Sequence, residues 1–207
     1  MKKFLFLIMV VLLAGCAVGN KYDYRSSAID LSVKSSENKK ILLSVEDLRP
    51  YVVNGSKPPN FVGLQRGGFG NPFGVTTSSQ EPLATDMAIA IKNALSDVGY
   101  EVTNIKEAAP NREYLVNLAA ENGANRIVEL KINEWKSDVF MSITLHCDLA
   151  LTVFDPNGDV LATNRMKFEE AIGGAKIGAS KNSQAVTAEF SKRIGYLFNK
   201  KEVRDSL

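Results

Sequence analysis

Hydrophobic and polar residues alternate along four segments of this chain. A period of two predicts β-strands, because successive side chains of a strand point to opposite faces. The first segment is Ile41–Leu48, and the longest is Ile143–Val153. Val128–Ile132 also alternates, and Asp159–Glu169 is the returning strand after a run of turn-forming residues at 155–158. The C-terminal half therefore predicts a meander of three strands.

Apolar residues at spacings of three and four predict three amphipathic helices. The first begins after Pro82 and ends before Gly99, and the second runs from a capping Asn111 to about Glu121. The third lies near the C-terminus, and a short strand at Tyr100–Ile105 separates the first two. The first and third apolar stripes consist of Leu83, Met87, Ala90, Ile91, Ala94, Leu95 and Val98, and of Val186, Phe190, Ile194 and Leu197.

The resulting order, β-α-β-α-β-β-β-α, favours an α+β fold. Its simplest arrangement is a mixed, largely antiparallel sheet with the helices packed on one face. Trp135 falls out of phase with its strand, which predicts a β-bulge near residues 133–134 or a side chain on the opposite face. The sheet face away from the helices is expected to be solvated or to meet a partner, and it carries Thr144, His146, Asp148 and Thr152.

The N-terminus has the pattern of a bacterial lipoprotein signal. Lys2 and Lys3 precede an apolar run of 11 residues, too short for the roughly 20 that span a bilayer. The run closes on Leu13-Ala14-Gly15-Cys16, which resembles a lipobox. This resemblance implies cleavage between Gly15 and Cys16 and lipid on the sulfur and amine of Cys16.

These patterns divide the chain into four parts. Residues 1–15 are the predicted signal peptide, and 16–39 are the lipidated cysteine with a flexible tether that is polar and irregular. An alternative for the tether is that part of it docks on the domain through Tyr22, Tyr24 or Ile29. Residues 40–200 form a single periplasmic α+β domain, and 201–207 a solvated tail. Once the signal leaves, 23 basic and 23 acidic side chains remain, which gives no electrostatic reason to expect nucleic-acid binding.

Residues 50–81 predict a long loop with six glycines and four prolines. Loops of this length are usually functional or disordered. The apolar side chains within 54–74 leave three interpretations: a binding or oligomer-contact loop, a packed Ω-type loop, or a mobile segment. The candidate partner or ligand contacts are Arg49, Phe61, Arg66, Phe69, Phe73 and His146.

The sequence argues against most catalytic chemistry. His146 is the single histidine, so a multi-histidine metal site is excluded, and residues 54–74 lack the lysine and hydroxyl of a P-loop. Cys147 lies in an apolar strand pattern and is expected to be a small buried hydrophobe. We therefore expect no enzyme, no cofactor and no metal.

The lipobox, the strand ending in Asp47-Leu48-Arg49, the helix within Pro82–Val102 and the meander with its closing helix together resemble the YajG-type family of outer-membrane lipoproteins. The pattern also looks like the small periplasmic domain of penicillin-binding-protein activator lipoproteins and of the curli secretion lipoprotein. The resemblance implies a domain that binds protein partners or oligomerises. Ala17 after the lipidated cysteine implies transfer to the outer membrane.

The sequence thus predicts a non-enzymatic lipoprotein on the periplasmic face of the outer membrane, acting as an envelope protein-interaction or oligomerising module. The alternative is a carrier that binds a small lipid or cell-wall ligand through residues 54–74.

Overall fold

The computed structural model describes residues 20–33, 39–106, 110–176 and 179–207. These ranges contain eight strands and five helices. In chain order they are β1 (Lys21–Tyr22), β2 (Lys40–Asp47), α1 (Pro50–Val53), β3 (Phe61–Arg66), β4 (Pro72–Thr77), α2 (Leu83–Asp97), β5 (Glu101–Asn104), α3 (Arg112–Asn122), β6 (Arg126–Val139), β7 (Ser142–Phe154), β8 (Val160–Gly174), α4 (Ala179–Asn199) and α5 (Lys201–Ser206).

The strands form one mixed sheet built on the long strand β6. Along one edge β6 pairs with β7, and β7 with β8, both antiparallel. Along its other edge the first half of β6 pairs with β2 and the second half with β3, both parallel. Beyond β2 lies β5, and beyond β3 lie β4 and then β1. The predicted α+β fold with a mixed sheet is confirmed.

The predicted bulge is present. The register between β6 and β7 shifts between Ile132 and Glu134, so Trp135 returns to the core face opposite Cys147. There the indole of Trp135 is fully buried and its Nε1 donates to the hydroxyl of Tyr24 at 3.0 Å. Cys147 is also buried, and desolvation raises the pKa of its thiol to about 12. Both side chains belong to the core.

The main core lies between one face of the sheet and helices α2, α4 and α5. Helix α3 differs, because it packs on the opposite face against Leu42, Ile127 and Phe154. Its ends are as expected: Asn111 accepts a bond from the backbone N–H of Tyr114 at 2.8 Å, and a left-handed glycine follows its last turn. The prediction of helices on one face therefore applies to α2, α4 and α5.

Residues 50–81 differ from the predicted long loop, because they contain α1 and the β3–β4 hairpin. Glycine hides the pattern here, since it interrupts the alternation that marks a strand. Gly63 lies so close to β6 that a Cβ atom would clash with the backbone and the hydroxyl of Ser137. The hairpin joins the sheet through contacts with residues that are distant in the sequence, and no local pattern indicates these contacts.

The predicted tail differs from the structure, and for residues 20–33 of the predicted tether the docking alternative is confirmed. Residues 20–33 pack on the domain, and their apolar side chains at 22, 24, 29, 31 and 33 are buried. The tail forms helix α5, where Val203 and Leu207 are buried. In both segments a few apolar side chains pack on residues that are distant in the sequence. The predicted signal peptide and Cys16 lie outside the described residues.

Candidate functional site

Arg49, a predicted partner contact, is instead fully buried within the fold. Its side chain is fully buried, and Nε and Nη2 bind the two carboxylate oxygens of Asp47 at 2.7 and 2.6 Å. The remaining N–H groups donate to the backbone carbonyls of Pro59, Phe61 and Trp135 at 3.0, 2.6 and 3.2 Å. Arg49 thus joins the end of β2 to the hairpin and to β6.

The four predicted contacts within residues 54–74 lie in different surroundings. Phe61 is buried, with its ring edge-to-face to Tyr51 at 5.7 Å, so it belongs to the core and does not face a partner. Arg66 is half-buried, and Phe73 is half-buried on β4. Phe69, at the hairpin tip, is completely exposed. Only part of this predicted site is therefore available for contact.

Arg66 forms a two-bond ion pair with Asp138. Nε and Nη2 of Arg66 lie 2.8 and 2.5 Å from the carboxylate oxygens of Asp138. Hydrogen bonding to Arg66 holds the pKa of Asp138 below its usual value. The pair fixes the hairpin against β6 near its end, which makes Arg66 an orienting residue for the tip.

His146 lies on the sheet face opposite the main core, which we call the charged face. Its Nδ1 is 3.2 Å from a carboxylate oxygen of Glu169, directly across the β7–β8 ladder. Further along, Asp148 is bound by Arg165 at 2.9 and 2.8 Å. The charged face comprises Glu46, Glu129, Lys131, Glu134, Lys136, Asp138, His146, Asp148, Arg165, Lys167 and Glu169. Opposite charges alternate there, as in a surface of paired ions.

Two neighbouring carboxylates on the charged face are not each paired with a positive side chain. Glu46 is buried beside Glu129, and burial together with this neighbour raises the pKa of Glu46 to about 7. Lys131 binds Glu129 at 3.0 Å. Within the described residues, no group of three or more His, Cys, Asp or Glu side chains is arranged to hold a metal ion.

A groove of about 530 Å³ lies beside α1 and α2 and was not predicted. It is at the carboxyl ends of the neighbouring parallel strands β2 and β5. After β2 the chain continues through α1 and the β3–β4 hairpin to α2 on the core face, whereas after β5 it continues to α3 on the opposite face. In open sheets such a reversal creates a crevice that commonly binds ligands.

The groove has an apolar wall and a few polar groups at one side. Val45 and Val52 line it together with Ala84, Ala88 and Ile89 of α2. Asn104 and Lys106 supply polar groups, and Oδ1 of Asn104 is buried without a hydrogen-bond partner among the described residues. Four separate stretches of chain meet here, so the sequence carries no local signal for the groove.

No family model matches the sequence, and a search of curated proteins found no match. Solved structures do share the fold. A Xanthomonas campestris protein assigned to family DUF330 matches with a TM-score of 0.51 at 10% identity, covering 86% of this chain and 95% of that chain. At this identity the likeness concerns the fold alone.

Bacterial lipoproteins also occur among the structural neighbours. Lipoprotein GNA1162 of Neisseria meningitidis matches with a TM-score of 0.42 at 14% identity, covering 75% of this chain and 98% of that chain. The LpoB C-terminal domain of Escherichia coli gives 0.34 at 10% identity, covering 75% and 99%. The YajG-type resemblance stays a prediction. None of the described helices is long and apolar enough to cross a membrane.

Proposed function

We propose that this protein is a lipid-anchored outer-membrane lipoprotein with a periplasmic domain, and that its domain binds an envelope protein partner without catalysing a reaction. The groove between α1 and α2 carries the proposal. It is open, largely apolar and the size of a few side chains, which suits an apolar segment of a partner. The lipobox at Leu13–Cys16 supports the anchor.

The wall of the groove provides the means to test partner binding. Thr85 is exposed at its rim, and Asn93 is exposed on the same helix without lining it. A photo-crosslinking amino acid is placed at one or the other position in intact cells. Comparing the two variants shows whether a partner contacts the groove or only the exposed surface of the helix. We expect a discrete adduct from position 85, none from 93, and loss of the adduct when Ala84→Trp fills the groove. Equal adducts from both positions would overturn the groove as the partner site.

The anchor is tested separately. In cells expressing Cys16→Ser, the protein should keep its signal peptide and lose the mass of the attached lipid, because the thioether has no sulfur to form on. Membrane fractionation and intact-mass measurement check this. Normal processing of Cys16→Ser would contradict the lipoprotein assignment, whereas a Cys147→Ser form should be processed like the parent chain.

A second function is favoured by the unpaired oxygen of Asn104. A small lipid or cell-wall fragment with a hydrogen-bond donor would place its apolar part on α2 and its donor on this carbonyl. From residues 54–74, the segment predicted to hold such a ligand, Pro59 lines the groove. Native mass spectrometry of the purified protein should then show a bound small molecule that Ala84→Trp removes. A ligand-free mass from gently extracted protein would reject the carrier.

A further inference from the structure

Three of the exposed apolar side chains lie at one end of the sheet. Phe69 is fully exposed at the tip of the β3–β4 hairpin, and Met141 is 80% exposed at the tip of the β6–β7 hairpin beside a 44% exposed Phe140. Strands β3 and β6 run in parallel toward this end and pair there, with Gln65 opposite Val139. Both tips therefore project side by side from what we call the tip end.

The hairpin geometry does not require these side chains. The β3–β4 turn is closed by the backbone, with the N–H of Gly67 bound to the carbonyl of Asn71 at 2.9 Å and the N–H of Gly70 to that of Gly67 at 2.8 Å. Any small polar residue would fit between the glycines in place of Phe69. Exposed apolar patches on a folded surface mark interaction sites more often than chance.

The N-terminal end of β1 points toward the tip end. Strand β1 runs parallel to β4, and Lys21 pairs with Thr76. Since β4 begins at Pro72 near the tip, the N-terminal end of β1 points in that direction. The side chain of Asn20 also donates to Gln65 at 3.1 Å.

The distance to the predicted anchor is short. Asn20 is the fourth residue after Cys16, and four residue steps extend at most about 14 Å. The same number separates Pro72 from Thr76 along β4, which covers about 13 Å, and the tip projects beyond Pro72. A lipid on Cys16 therefore holds Asn20 within about 14 Å of the anchored cysteine. The tips project from the domain on the side toward which the N-terminal end of β1 points.

Two lysines lie near the β6–β7 tip. The N–H of Ala175 binds the carbonyl of Met141 at 3.0 Å, which places the exposed Lys176 next to the β6–β7 tip. Asn182 accepts from the N–H of Lys176 at 2.8 Å, so the exposed Lys181 at the start of α4 is nearby. Lysines beside exposed apolar residues suit the phosphates of lipid headgroups.

We propose that the Phe69 and Phe140–Met141 tips insert into the boundary between headgroups and acyl chains of the membrane that carries the anchor. The occupant of this apolar surface is thus a lipid bilayer. The inference rests on the proposed anchor at Cys16. It also fixes the orientation of the domain, because the β7–β8 turn at the other end of the sheet then faces away from the membrane.

Tryptophan fluorescence in the full lipidated chain tests this. Phe69→Trp places a probe at the tip, and Val160→Trp places one at the far end of β7–β8, where Val160 is also exposed. The buried Trp135 contributes the same background to both variants. Each protein is reconstituted into vesicles of phosphatidylethanolamine and phosphatidylglycerol, with and without brominated acyl chains, and its lipid is confirmed by intact mass.

We expect brominated chains to quench most of the emission added at position 69 and to leave that at position 160 unchanged. A lipidated protein whose position 69 is not quenched would overturn the inference and leave the anchor standing. A blue shift without quenching means burial against a second copy and also overturns it. A chain without lipid would overturn both the anchor and this inference.

Discussion

Two arginine–aspartate pairs on opposite faces of the sheet have similar bonds and different surroundings. Arg49 binds Asp47 at 2.7 and 2.6 Å, and Arg165 binds Asp148 at 2.9 and 2.8 Å. The side chain of Arg49 is fully buried, whereas that of Arg165 is 60% exposed. Judged by bond lengths alone, the two ion pairs would be expected to contribute equally to stability.

This difference in burial shows how each face of the sheet contributes to the structure. On the core side, the donors of Arg49 that do not bind Asp47 satisfy three backbone carbonyls from separate segments, so the pair holds the hairpin in place. On the charged face, Arg165 is solvated and replaceable. A partner that meets the charged face thus finds a pattern of charge, whereas the core side offers the groove.

The largest expected effect comes from Arg49→Met. Removing the guanidinium leaves the Asp47 carboxylate and the carbonyls of Pro59, Phe61 and Trp135 without their donors in a buried place. The free energy of unfolding should fall by about 3–5 kcal/mol, as for other buried pairs that lose one partner. Denaturant titration of the purified domain measures it. A loss below about 1 kcal/mol would show that the buried pair is no more important than an exposed one.

A smaller effect is expected from Gly63→Ala. The new methyl group would clash with the carbonyl oxygen of Ser137, and β3 would have to move away from β6. We expect a loss of about 2–3 kcal/mol, typical of overpacking. Gly68→Ala is the matched control, because its Cβ would meet nothing within 4 Å. Equal stability of the two variants would contradict the close approach of β3 to β6.

Local patterns predict much of this fold. Strands β2, β6, β7 and β8 and helices α2, α3 and α4 each carry their own period, so the sequence predicts their presence and their order. The bulge before Trp135 is predictable because a large apolar side chain seldom faces solvent, and one extra residue in the strand returns it to the core. Each of these patterns lies within a single segment of the sequence.

What the sequence did not predict depends on contacts between distant segments. Arg49 is predicted from the sequence as a partner contact, whereas the carbonyl groups that it binds come from as far along the chain as Trp135. The groove is formed by α1, α2 and the ends of β2 and β5, none of which is unusual by itself. Strand β3 was not predicted either, because its glycine interrupts the alternation of apolar and polar residues that marks a strand.

The charged face gives a prediction for pH. The pKa of Glu46 is raised to about 7 by burial and by Glu129, above its usual value near 4.5. The folded state therefore binds more protons than the unfolded state between about pH 4.5 and pH 7, and stability falls as the pH rises through this window. Glu46→Gln should remove the dependence and stabilise the protein at pH 8 by on the order of 1–2 kcal/mol. Denaturant titrations at pH 5 and pH 8 compare the two proteins. An unchanged slope with pH in Glu46→Gln would assign the dependence to another group.

The smallest effect is expected from Arg165→Met, the counterpart of the first variant. Solvent screens the exposed guanidinium, and Asp148 keeps Lys167 at 3.6 Å. The free energy of unfolding should change by less than about 1 kcal/mol, and added salt should reduce even that difference. Denaturant titration at low and high salt checks both statements. A loss as large as that of Arg49→Met would mean that the charged face is held as rigidly as the core side, and the contrast between the two faces would fail.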